Sequence, residues 1–147
     1  MMTSSHDDAF GRFNLLDGLL RDGALCLGFS ERDAERSVAE RSVEVAGVNV
    51  SVIPLRDADE FSENDVVLAA PLPGVDAHSQ HAIEFLFEIN LANALAGGGA
   101  FGRDAQGQIL LLKAMRTEQL DGVTLAAHLQ WMAALVASVR EELGRLH

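Results

Sequence analysis

Apolar and polar residues alternate at Val43 and Val45, and again at Val48, Val50 and Val52. A period of two places one face of a strand on a core. Ala46-Gly47, between the two runs, predicts a tight hairpin turn, and Pro54 a strand end or edge. After an acidic stretch over 56–65, "VVLAAPLP" predicts a third strand closed by Pro71 and Pro73. "AFGR" and "QILLLKAM" predict two more, joined by the turn-like "DAQG".

Three other segments carry the helical period. In "DDAFGRFNLLDGLLRDG", Phe13, Leu16 and Leu20 form one stripe and Leu15 and Leu19 a second beside it, with Gly23 as the expected stop. A second helix is expected from about Asp76–Ser79 to Gly97, and a third from Thr117 or Asp121 to Leu146. In the third, Leu125, Leu129, Met132, Val136, Val139 and Leu143 make a clean stripe. The stretch 30–42 is charged and uninformative and reads as a loop with room for a short helical turn. The order α-β-β-β-α-β-β-α, without repeating βα units, predicts an α+β fold. An antiparallel sheet packs against helices in one domain over residues 1–147.

The middle helix, "AIEFLFEINLANALAGGG", is apolar almost all round. Glu84 and Glu88 form a narrow polar strip flanked by Leu91 and Leu95, and Ile83, Phe85, Leu86, Phe87, Ile89 and Ala92 occupy the rest. A helix apolar on most sides is buried on most sides, and a sheet covers only one of them. A second copy of the chain is the expected cover, since two-fold homodimers are the commonest soluble oligomers. Asn90 and Asn93 lie within the apolar sectors and need hydrogen-bond partners, which paired copies are expected to supply.

Composition narrows the function. The chain has 147 residues, 48% of them hydrophobic, and a net charge of −11. Nucleic-acid binders rely on Lys and Arg against phosphate, and anionic membranes attract the same charge, so neither partner is expected. No secretory signal is visible in "MMTSSHDDAF", and the uncharged run from Val123 to Val139 falls short of about 20 apolar residues. A cytoplasmic location is expected. The single cysteine, Cys26, lies among apolar neighbours and is expected to be a buried thiol.

Candidate chemistry is sparse. His78 and His81, with Glu84 a turn further on, offer a metal-site reading, set against a solvated helix start. His128 lies near the apolar stripe of the last helix and reads as a half-buried histidine. The glycines at 97–99 follow a helix, whereas phosphate-binding glycines precede one. No nucleotide-binding or hydrolase motif occurs, and no enzyme, cofactor or metal is expected. A small-ligand-binding or sensory α+β domain is the alternative reading.

The stretch "FLFEINLANALAGGGAFGRDAQGQILLLKAM", the long helix with Trp131 after it, and "FGRFNLLDGLLRDGAL" at the start resemble the class I type III secretion chaperones of Gram-negative bacteria (Tir-chaperone-like). The resemblance covers most of the chain. It implies a small cytosolic homodimer that binds a segment near the N-terminus of one secreted effector and holds it extended and export-competent, without ATP. The family's dimer interface uses the second helix and the following strand, here Phe85, Leu86, Ile89 and Asn90 with Ala100 and Phe101, and Asn93 joins them from the helical wheel. Effector contacts are expected at Phe10, Leu15 and Leu19 on the first helix, and at Val48, Val50 and Val52, whose hairpin offers an edge for an added strand. Packing beneath the charged stretch is the alternative for Leu15 and Leu19. That stretch, 30–42, is longer and more charged than the family pattern.

Overall fold

The computed structural model describes residues 4–55, 66–96 and 98–145, with side chains from residue 15 onward. The acidic stretch 56–65, Gly97 and the side chains of Phe10 and Phe13 lie outside the described residues. The chain runs α1 (Ser4–Cys26), α2 (Glu31–Glu40), β1 (Ser42–Val45), β2 (Val48–Pro54), β3 (Val66–Pro71), α3 (Gln80–Leu95), β4 (Ala100–Arg103), β5 (Ile109–Met115), a 3₁₀ turn (Thr117–Gln119) and α4 (Gly122–Arg145). The five strands form one sheet in the order β1-β2-β3-β5-β4. Every neighbouring pair is antiparallel. This is the α+β class expected from the sequence.

Alternation decides what each strand buries. Val43, Val48, Val50, Val52, Val66, Leu68, Ala70, Phe101, Ile109 and Leu111 are all buried, and the register places them on one face. Helix α4 crosses that face over β1–β3, and α1 packs on α4. The predicted stripe of α4 is its buried side: Leu125, Leu129, Met132, Val136, Val139 and Leu143, together with Ala126 and Ala133. By length and composition α4 is apolar enough to cross a membrane; its buried stripe is the part that packs on the sheet and α1.

Ends and turns follow local chemistry. Ala46 (φ 50°) and Gly47 (φ 82°) make the left-handed pair of a two-residue hairpin turn between β1 and β2. The Ser79 hydroxyl accepts from the Ala82 N–H at the start of α3. The Asp121 carboxylate accepts from the Thr124 N–H at 2.7 Å and caps α4. That bond holds the carboxyl below its usual range.

Three expectations are corrected. The stretch 30–42 is largely helix, not loop. Ser30 accepts from the Asp33 N–H at 3.1 Å, Glu31 and Asp33 lie in the first turn, where carboxylates favour the helix dipole, and Arg41 closes it in a left-handed conformation. Helix α2 packs on α1 and buries Ala34 and Ser37, which with Val38 keep helical spacing on one face but are few and small among the charged residues around them. Helix α1 runs past Gly23 to Cys26 and ends instead at Gly28, whose φ of 92° suits glycine. Cys26 is exposed, because the last turn of α1 projects it to solvent while Leu27 and Phe29 pack against the core.

Candidate dimer and effector interface

The sheet has two edge strands, and the sequence treats them differently. At β1, the Val52 N–H donates to the Arg41 carbonyl at 2.9 Å, so Arg41 and Val52 form a hydrogen-bonded pair. Antiparallel pairs alternate, and the register 42↔51, 43↔50, 44↔49, 45↔48 then turns the N–H and C=O groups of Ser42 and Glu44 outward. Among the described residues nothing pairs with these four groups. The edge is anchored from behind by an ion pair between Arg41 and Asp17 of α1 (3.2 Å). Beside it, a polar hollow of about 460 Å³, lined by Asp33, Arg36, Glu40, Glu44 and Asn49, separates α2 from the hairpin.

At the opposite edge, the Asp104 N–H donates to the Gln108 carbonyl at 2.9 Å. The same alternation along β4 turns the N–H and C=O of Phe101 outward. Here α3 crosses the edge. The Phe101 N–H donates to Asn90 Oδ1 at 2.7 Å, and Asn90 Nδ2 donates to the Phe101 carbonyl at 3.0 Å. A groove of about 240 Å³ remains between α3 and β4, lined by Ile83, Leu86, Phe87, Phe101 and Arg103 among others.

The rest of α3 answers how a nearly all-apolar helix is accommodated. Ala82, Leu86 and Asn93 are buried, and Phe85 and Ile89 pack partly against the core. On the other side Phe87, Leu91 and Leu95 are exposed by 68%, 65% and 84%. Their spacing of four stacks them in one row along the helix. Asn93 is buried, and its Nδ2 has no acceptor among the described residues.

Behind α3, the chain from Gly98 to Gly99 threads between Trp131 of α4 and β5. A Cβ on Gly99 would collide with the Leu112 carbonyl oxygen, and one on Gly98 would lie 3.0 Å from the Trp131 ring. Lys113 Nζ sits 4.8 Å from the Trp131 ring centre. Burial lowers the Lys113 pKa. Burial first, and then the Lys113 charge, lower that of His128. His78 and His81 are exposed at the start of α3. Among the described residues, no group of three or more His, Cys, Asp or Glu is placed to hold a metal.

The expected site residues therefore separate. Val48, Val50 and Val52 are buried, so a strand added to this hairpin would meet the backbone of β1 and not these side chains. Leu19 is buried at 7% and Leu15 is exposed at 52%: the packing alternative describes Leu19 but not Leu15. Leu86 and Phe101 are buried within the chain, and Ala100 is exposed. Asn90 has its hydrogen-bond partners in its own chain. The sequence reading passed over the exposed row Phe87, Leu91 and Leu95 as a unit, although its i, i+4, i+8 spacing was there to be read.

Comparison with known proteins places this arrangement. The fold is similar to that of a chain in the solved structure described as "Structure of the HopA1-SchA Chaperone-Effector Complex". The TM-score is 0.61 at 16% identity, covering 88% of this chain and 96% of that one. No curated protein sequence matches the chain. The model of the Tir chaperone protein (CesT) family matches residues 48–140. That match runs from β2 into α4, well over half of the sequence, and the chain belongs to this family of class I type III secretion chaperones.

Proposed function

We propose that this chain is a cytoplasmic bacterial chaperone that binds a segment near the N-terminus of a type III secreted effector and keeps it extended and export-competent, without ATP. The observation that carries this reading is the family match over residues 48–140. The open β1 edge supports it, because the outward groups of Ser42 and Glu44 offer an extended client main-chain hydrogen bonds. Leu15 adds exposed apolar surface on α1, and Phe10 is assigned to the same contact.

We further propose that residues 1–147 work as one domain and as a homodimer built on α3. The row Phe87, Leu91 and Leu95 is apolar and exposed, and such rows mark interaction surfaces. A second copy would bury it, while Asn93 lies on the opposite, inner side of α3. Phe85, Leu86, Ile89, Asn90, Ala100 and Phe101 then form the inner layer on which that row stands.

The test is isolation of the tagged chain from host cells expressing the export system, with partners identified by mass spectrometry. A secreted protein, held through a segment near its N-terminus, is expected. Absence of any secreted partner would overturn the reading and favour a small-ligand domain. The groove between α3 and β4, about 240 Å³, is small for that role beside the roughly 300–1,000 Å³ usual for ligand pockets.

A further inference from the structure

We infer that the Asn90 carboxamide is a surrogate strand that closes the β4 edge, so that sheet extension is directed to β1 alone. An edge strand presents unpaired N–H and C=O groups in a row and templates pairing with another chain. In a strand as short as β4, Phe101 is the central outward-facing residue. Its two groups are the ones Asn90 takes, at 2.7 and 3.0 Å. One donor and one acceptor held side by side is what a residue of a neighbouring antiparallel strand would present. No other side chain of that size does this: aspartate lacks the donor, and leucine lacks both.

The elements around the pair keep it in place. Leu86 anchors α3 one turn before Asn90, and Phe101 is itself buried. Arg103, the other outward residue of β4, has its guanidinium directed to the Ala77 carbonyl (3.4 Å), across the same end of the strand. Among the described residues, nothing comparable stands over Ser42 and Glu44. The two ends of the sheet are thus, among the described residues, chemically unequal: one edge is occupied by a side chain of its own chain and the other has no such partner. The consequence for a client rests on the proposed function; the closure itself does not.

Amide hydrogen exchange on the free, full-length chain tests the closure without any client. In the wild type, the Phe101 amide is expected to exchange at least about tenfold more slowly than those of Ser42 and Glu44, although all three belong to edge strands. In Asn90→Leu, Phe101 protection is expected to fall about tenfold, with self-association increasing as concentration rises. Asn90→Asp, which keeps the acceptor, should retain more of that protection than Asn90→Leu. Equal exchange at both edges of the wild type would overturn the inference. So would Asn90→Leu with Phe101 protection unchanged. The wild-type comparison stands even if the leucine variant does not fold. A failed search for a secreted partner would sink the proposed function and leave this result untouched.

Discussion

His128 shows how one half-buried side chain makes stability depend on pH. Burial and the neighbouring Lys113 charge hold it below the ordinary histidine value, so the native state binds fewer protons than the unfolded chain. Its contribution is therefore intact above about pH 6.5 and is lost as pH falls below that value. Thermal melts at pH 7.5 and 5.5 should show a drop that is smaller in His128→Gln. On α1, Leu15 and Leu19 were indistinguishable by period, because they lie one turn apart in the same stripe. Which of them is covered depends on α2 and α4, not on α1. Leu19→Asp places a charge in the core and should unfold the protein. Leu15→Asp should leave the melt unchanged within about 0.5 kcal/mol and weaken client binding. Cys26 was misread for a related reason: apolar neighbours in sequence do not share a face when they lie on a helix end.

At the scale of elements, the strands were legible because five valines and three prolines mark their faces and ends directly. The long stripe of α4 was equally plain. Helix α2 was not: its buried side of Ala34, Ser37 and the partly buried Val38 keeps helical spacing, but three small residues in a mostly charged stretch are easily taken for a solvated loop. What the sequence did offer was the Ser30-x-x-Asp33 spacing of a helix start. Ser30→Ala should cost about 1 kcal/mol in urea unfolding, read as a lower midpoint with an unchanged slope. In α3 the apolar sectors were read as needing more than one cover, and the chain itself covers only the side of Ala82, Leu86 and Asn93. The division into an inner set and the outer row of Phe87, Leu91 and Leu95 required knowing where β4 lies.

In the whole molecule, a closed edge, an edge left open among the described residues and an exposed apolar row meet in one chain. Leu91→Glu should yield a folded monomer by light scattering, because Leu91 is already exposed in the single chain; a stable dimer in that variant would contradict the assignment of α3. The central claim is that an extended effector segment is held on the β1 edge. The measurement that reads it most directly is hydrogen–deuterium exchange on the isolated complex, compared with each protein alone. The account predicts new protection at Ser42 and Glu44, no change at Phe101, and a protected segment near the partner's N-terminus. Fast exchange at Ser42 and Glu44 in a complex of full occupancy would contradict it.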